Sequence, residues 1–165
     1  MKKLIPLALL LITFYPICSI LLSACSDNEN CSLEGRQIVN CTFKTRNSNN
    51  TAFVNDTLDS LTVTAIGTDS IIINNQQSVH KISLPLRYTN DSTILVFHYT
   101  RYIRDTVTFS HTNTPYFLSM ECGYEMRQVL KGISVSPSQM MDSLSVTNTQ
   151  ATTNESTENI VFYMY

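Results

Sequence analysis

From about Ile38 to its end, the chain alternates apolar and polar side chains with a period of two residues. The apolar positions of these runs are Leu61, Val63 and Ala65; Ile82, Leu84 and Leu86; Leu95, Phe97 and Tyr99; Val107 and Phe109; Tyr116, Leu118, Met120 and Cys122; Leu144 and Val146; and Ile160, Phe162 and Met164. Successive side chains of a β-strand point to opposite faces, so this pattern predicts strands with one buried face. The run from Ile94 to Tyr99 is apolar on both faces, which predicts a central strand.

Short polar segments separate the runs and predict the turns. Gly67-Thr68-Asp69, Asn74-Asn75-Gln76-Gln77 and Asn90-Asp91-Ser92 have the residue types that favour tight turns. Longer polar stretches at 45–55 and 147–158 predict loops or hairpin excursions, and 126–133 is ambiguous between strand and helix. The whole pattern predicts an all-β fold, an antiparallel β-sandwich of immunoglobulin-like type. A calycin-like or other β-barrel is the alternative, since the chain has no Trp for the immunoglobulin Cys-Trp-Cys pattern.

The first part of the chain has a different pattern. Lys2 and Lys3 precede an apolar run over 4–22, which ends in Leu22-Ser23-Ala24-Cys25. A basic start, an apolar run and small residues before a cleavage point indicate a secretory signal. A Cys at this point is typical of a bacterial lipobox, so we predict a signal peptide over 1–24, lipid on Cys25, an acylated tether over 25–35 and a single sandwich domain over 36–165. The alternative is an uncleaved membrane anchor, which Pro16 and the small residues disfavour.

These predictions give the chain a location and a membrane partner. The lipid on Cys25 would hold the protein in a bacterial outer membrane. The stretch Ser26-Asp27-Asn28-Glu29-Asn30 resembles the acidic signal that sends lipoproteins of Bacteroidetes-type bacteria to the cell surface. A surface-facing position is therefore favoured over a periplasm-facing one.

Composition narrows the classes of function. The chain is 43% hydrophobic and 15% charged, with a net charge of −2 that becomes −4 when Lys2 and Lys3 leave with the signal peptide. This balance argues against disorder and against nucleic-acid binding, because no basic excess is present to neutralise phosphates. No metal-ligand spacing, phosphate loop or catalytic motif occurs, so no metal, cofactor or catalytic residue is predicted. We expect a non-enzymatic binding or assembly module whose partner is another envelope protein or a glycan.

Three cysteines remain after cleavage and lipidation: Cys31, Cys41 and Cys122. An oxidising compartment favours one disulfide and one odd thiol. Cys122 shares a predicted core face with Leu118 and Met120. Either Cys31 or Cys41 is a candidate partner for it, and Cys41, in a strand-like run, is also a candidate inert core thiol.

Two further features are candidates for function. The segment from Tyr99 to Arg104 combines aromatic rings with cations and is a candidate ligand loop through Tyr99, Arg101, Tyr102 and Arg104; a solvated hairpin loop is the alternative. A glycan-binding subunit or an envelope enzyme using this loop is thus the second hypothesis.

Asp-Ser/Thr pairs that precede an aliphatic residue or Thr resemble the O-glycosylation motif of Bacteroides-type bacteria, although such pairs also start strands after turns. The candidate acceptors are Thr57, Ser60, Ser70, Ser92, Thr106 and Ser143.

Several segments together resemble a family of uncharacterised Bacteroidetes lipoproteins. They are Leu58-Asp59-Ser60-Leu61-Thr62-Val63 with Ile66-Gly67, Ile82-Ser83-Leu84-Pro85-Leu86, Val96-Phe97-His98-Tyr99, Asp105-Thr106-Val107-Thr108-Phe109, and Tyr116-Phe117-Leu118-Ser119-Met120-Glu121-Cys122-Gly123. The resemblance implies a domain of unknown function and no catalytic residue. It also implies Cys31 as the partner of Cys122, while Cys41 departs from the family pattern.

Overall fold

The structure is a computed structural model that describes residues 36–49, 51–68, 70–120 and 122–165. The predicted signal peptide over 1–24, the predicted lipidation site Cys25, the predicted tether over 25–35 and Cys31 lie outside the described residues. The described part of the chain forms ten β-strands and no helix. It therefore contains no helix able to cross a membrane.

The strands form two five-stranded sheets. Their bounds are β1 Ile38–Arg46, β2 Phe53–Asn55, β3 Leu58–Ala65, β4 Ser70–Val79, β5 Lys81–Pro85, β6 Ser92–His98, β7 Arg104–Ser119, β8 Gly123–Val135, β9 Met141–Val146 and β10 Ile160–Met164. In the first sheet, β9, β10 and β1 lie side by side, and both β5 and β2 pair with the remaining edge of β1. The second sheet has the order β4-β3-β6-β7-β8.

All pairings are antiparallel except that of β1 with β10, the first and last strands of the described chain. The two sheets pack face to face, and the alternating apolar side chains of both fill the space between them. Phe162 of the first sheet contacts Phe43 within its own sheet and Phe97 across the interface, with ring centroids 5.8 and 5.7 Å apart. These edge and stacked arrangements are favourable for aromatic pairs. The core therefore contains the apolar faces that the period-two pattern predicted for β3, β5, β6 and β10.

The structure confirms the all-β sandwich, and the described strands form no closed barrel. The central position predicted for the run over 94–99 is also confirmed, because β6 has β3 on one side and β7 on the other. The ambiguous stretch 126–133 is part of the long strand β8.

The turn predicted at 74–77 is wrong. These residues lie inside β4, and the pairing of β4 with β3 is irregular there. Asn75 takes a positive φ of 44°, a conformation that Asn tolerates better than most residues, and its N–H donates to Thr62 Oγ1 at 3.0 Å. The turn-forming chemistry of this segment thus produces a bulge in an edge strand rather than a chain reversal.

The core face predicted for Leu118, Met120 and Cys122 is also wrong. Leu118 is 43% exposed and Met120 86% exposed, and Cys122 is only half-buried. The β7–β8 hairpin is long: β7 pairs with β6 only up to Ser110 but with β8 up to Ser119, and these side chains stay exposed because none of the described residues covers the end of the hairpin. We call its far part, residues 114–120 and 122–127, the ribbon, and we call the turn end around Met120 its tip.

Candidate functional site

A polar groove crosses the outer face of the second sheet at the end where β6 turns into β7. Its volume is about 450 Å³. It is lined by Ser60, Thr62, Thr64, Asn75, His98, Tyr99, Thr100 and Arg101. The alternation of β3 and β6 creates it, because Leu61, Val63 and Phe97 turn into the core and leave the intervening polar side chains outside.

Hydrogen bonds order the floor of the groove. Thr64 Oγ1 lies 3.1 Å from His98 Nε2, and Thr62 Oγ1 accepts the Asn75 N–H. Burial lowers the pKa of His98, and the nearby Arg104 guanidinium lowers it further. His98 is therefore held toward its neutral form, in which one ring nitrogen accepts and the other donates a hydrogen bond.

The predicted ligand loop separates into a buried and an exposed part. Tyr99 is 8% exposed and belongs to the core, whereas Arg101 and Tyr102 are exposed, and the Arg101 guanidinium lies 5.8 Å from the Tyr102 ring centroid. The loop is a tight hairpin between β6 and β7, closed by the Tyr99 N–H donating to the Ile103 carbonyl at 3.1 Å. Of the predicted residues, Tyr99 and Arg101 line the groove, and Arg104 influences it through its charge on His98.

A buried carboxylate fixes the base of this loop. Asp105 is fully buried and accepts backbone N–H groups of Gln139, Met140 and Met141. The Tyr99 hydroxyl is buried beside it, and burial, with Asp105 as the second cause, raises the pKa of Tyr99. Asp105 thus joins the hairpin between β6 and β7 to the segment before β9 and leaves its own charge unavailable to a ligand.

Among the described residues, the lining of the groove has hydroxyl groups, one imidazole and one guanidinium, and no carboxylate. Hydroxyl and amide groups both donate and accept hydrogen bonds, and a guanidinium binds planar anions in a bidentate manner. This arrangement is suited to a hydroxyl-rich or anionic ligand. The described residues contain no group of three or more His, Cys, Asp or Glu side chains that could hold a metal ion.

Comparison with known proteins identifies the family of the chain. A family model described as a family of unknown function, DUF6452, matches residues 60–164. The chain belongs to this family. No curated protein and no solved structure shows significant similarity to it. The matched region contains both the groove and the ribbon, so the DUF6452 domain includes the surfaces described above.

The predicted O-glycosylation sites differ in how far the structure exposes them. Thr57, Ser70 and Ser143 are exposed on this DUF6452 chain, whereas Ser60, Ser92 and Thr106 are half-buried within strands. Thr106 also follows the fully buried Asp105, so the acidic residue of that motif is inaccessible. Modification at all six positions stays a prediction, and the geometry favours the three exposed ones.

Of the cysteines, Cys41 is the one whose state the structure gives directly. Cys41 is a free, fully buried thiol, and burial raises its pKa, so it is an inert core residue and not the alternative partner of Cys122. Cys122 is not a free thiol. Because Cys31 lies outside the described residues, its pairing with Cys122 stays a prediction.

Sequence reasoning missed most of the groove. Ser60, Thr62, Thr64 and Asn75 come from β3 and β4, and they meet His98 only through the pairing of β3 with β6. The available signal was the run of Thr and Ser on the polar face of β3, which the period-two pattern assigns to solvent. Register between distant strands is not encoded in that pattern, so the meeting of these residues with Arg101 was not predictable from it.

Proposed function

We propose that this chain is a lipoprotein of a bacterial outer membrane, anchored by lipid on Cys25, whose β-sandwich is a non-catalytic binding or assembly module. The observation that carries the proposal is the position of the lipobox. Leu22-Ser23-Ala24-Cys25 stands eleven residues before Arg36, the first described residue, and β1 begins only two residues later. The sandwich is therefore held close to any membrane in which Cys25 is embedded.

The anchor is tested by expressing the full chain in a bacterium and measuring the mass of the mature protein. We expect a chain that begins at Cys25 and carries diacylglyceryl and acyl groups, and that partitions into detergent. Cys25→Ser should keep the signal peptide or lose the lipid mass, whereas Cys18→Ser, a matched change inside the predicted signal, should be processed normally. An unmodified Cys25 in the wild-type protein would contradict the proposal.

The side of the membrane is tested on intact cells. A surface-facing protein is degraded by an external protease before the cells are opened, and a periplasm-facing protein is protected. We expect degradation, because the Ser26–Asn30 stretch resembles a surface-export signal. Protection until lysis would assign the protein to the periplasmic face.

The groove favours a second candidate function, recognition of an anionic or hydroxyl-rich glycan. Arg101 provides the exposed cation of its lining, and His98 with Thr64 and Thr62 provides oriented hydrogen-bonding groups. Aromatic faces such as Tyr102 beside these groups are typical of sugar-binding surfaces. In this case the protein would be the glycan-binding subunit of a larger envelope assembly.

The two functions are separated by a glycan array and a crosslinking capture, both on the chain from residue 26 to 165. Binding of a defined glycan that is lost in Arg101→Ala would support glycan recognition. The control is Arg127→Ala, because Arg127 also stacks on an aromatic ring, Tyr116 at 5.2 Å, but lies on the ribbon. Saturable capture of one envelope protein, unaffected by Arg101→Ala, would support the assembly module.

A further inference from the structure

The tip of the ribbon exposes a cluster of large apolar side chains. Phe117 is 52% exposed, Met120 86% and Tyr124 74%, and Leu118 beside them is 43% exposed. The Phe117 and Tyr124 rings contact each other edge to face, with centroids 5.5 Å apart. Contiguous apolar patches of this kind on soluble domains mark sites of interaction with proteins or membranes.

The ribbon projects away from the rest of the sandwich. At the base of the ribbon, the His111 N–H donates to the Asp91 carbonyl and Asn113 Nδ2 donates to the Asn90 carbonyl. From Asn113 to Ser119 the hairpin continues for six residues, which corresponds to about 20 Å at the rise of an extended strand. The described part of the chain provides no second layer over this projection.

The N-terminal chain enters the sandwich beside the base of the ribbon. Gln37 Oε1 accepts the backbone N–H of Gln128 in β8 at 3.0 Å. The Arg36 guanidinium lies 5.1 Å from the centroid of the Tyr88 ring, which borders a depression shared with Asn113 and Met126. Arg36, which follows the predicted tether in sequence, therefore lies at the same end of the sandwich as the ribbon.

Chain length allows the tip to reach a membrane that holds Cys25. Eleven Cα–Cα steps separate Cys25 from Arg36, which span about 40 Å when fully extended. The tip lies only about 20 Å beyond the base of the ribbon. A Cys31–Cys122 disulfide, as predicted above, would bring the anchor closer still, because only six steps separate Cys25 from Cys31.

On these grounds we infer that the ribbon tip is a second membrane contact, which rests in the lipid surface and fixes the orientation of the sandwich. The inference depends on the proposed lipid anchor. The polarity of the ribbon matches the change in polarity with depth at a bilayer surface. Apolar side chains occupy the tip. Behind the tip, the Tyr116 hydroxyl donates a hydrogen bond to the Glu125 carboxylate at 2.6 Å, and the Arg127 guanidinium stacks on the Tyr116 ring. Aromatic rings such as Phe117 and Tyr124 prefer the interfacial region of a bilayer.

The absence of Trp from the sequence makes a direct test simple. Met120→Trp places a single fluorophore at the tip, and Tyr102→Trp places one on the hairpin at the opposite end of β7, where Tyr102 is 81% exposed. Each lipidated full-length protein is reconstituted into phosphatidylcholine vesicles with or without brominated acyl chains. We expect a blue shift and quenching by the brominated lipid for Met120→Trp, and water-like, unquenched emission for Tyr102→Trp.

The outcomes separate this inference from the anchor on which it rests. Protein that fails to float with the vesicles, or lacks lipid mass, overturns the proposed anchor. Protein that floats but leaves both fluorophores unquenched overturns the membrane contact while the anchor stands. A blue shift of Met120→Trp that grows with protein concentration in the absence of vesicles, together with dimer formation in sedimentation, would assign the tip to a second copy of the chain and also overturn the inference. Equal thermal unfolding of both variants and the wild type shows that the reporters leave the fold intact.

Discussion

The two halves of β7 have the same strand conformation, and both contain large apolar side chains, but they have opposite environments. From Arg104 to Ser110 the strand pairs with β6, and from Val107 onward it also pairs with β8; Asp105, Val107 and Phe109 are fully buried. From Thr114 to Ser119 it pairs with β8 alone, and Phe117 is half-exposed. Alternation therefore specifies a strand and its two faces, whereas burial requires a second layer that covers one of them.

The difference separates an inner half of the hairpin, which stabilises the fold, from an outer half, which exposes an apolar surface. The inner half contributes to the free energy of folding through its contacts with the opposing sheet. The outer half contributes little to the core and presents apolar groups for which water is a poor environment. A strand that gains little stability from its own end is free to evolve that end as a contact surface.

The largest expected effect compares two phenylalanines of the same strand. Phe109→Ala removes a fully buried ring and leaves a cavity, which should lower the free energy of unfolding by about 3–5 kcal/mol. Phe117→Ala should cost at most about 1.5 kcal/mol, because the ring is half-exposed and loses mainly its edge contact with Tyr124. Urea unfolding of both variants measures the difference. Similar losses would show that the ribbon is covered in the folded protein and would remove the distinction between the halves.

An intermediate effect is expected at the inner end of β7. Asp105→Asn keeps the shape of the side chain but replaces one acceptor oxygen by a donor group that faces the backbone N–H groups of Met140 and Met141. We expect a loss of about 2–3 kcal/mol, the range for hydrogen bonds to a charged group. The control is Asp142→Asn, an exposed position at the start of β9, which should change stability by less than about 0.5 kcal/mol. If Asp105→Asn left the free energy of unfolding unchanged, water, and not this carboxylate, would accept the hydrogen bonds of the backbone N–H groups before β9.

The sequence predicted much of the sandwich and little of the candidate site. The inward positions of β3, β5, β6 and β10 were correct because each of these strands is covered by the opposing sheet, as the fully buried Val63, Leu84, Phe97 and Phe162 show. The pattern failed at Leu118 and Met120, where the same alternation continues beyond the edge of that cover. It also failed at Asn75, where turn-forming residues produce a bulge.

The groove was predicted only where its residues are neighbours in sequence. Arg101 and Tyr102 were identified because aromatic and cationic side chains stand together in one loop. Thr62 and Thr64 join His98 through a strand register that period-two alternation leaves open, since the register depends on packing across the sheet. Its position next to Thr100 and Arg101 in the sequence placed Tyr99 in the ligand loop. The sequence could not show that its ring is buried, because that burial depends on the opposing sheet.

The smallest expected effect locates the boundary between the two halves of β7. His111 is the last fully buried residue before the ribbon, with Nε2 2.9 Å from Thr93 Oγ1, and burial lowers the pKa of its imidazole. An unfolded His titrates near pH 6.5. Above that pH the residue is neutral in both states and its contribution to stability is complete; as the pH falls below 6.5, the unfolded chain takes up the proton first, so stability decreases until the lower folded-state pKa is reached.

The free energy of unfolding should therefore fall between pH 7.5 and 5.5, with a slope from His111 of at most about 1.4 kcal/mol per pH unit, the limit for one proton. His98, whose pKa burial also lowers, contributes in the same direction. His111→Gln should reduce the slope. If His111→Gln kept the full slope, water would reach the imidazole in the folded state, and the buried half of β7 would end before His111 instead of after it.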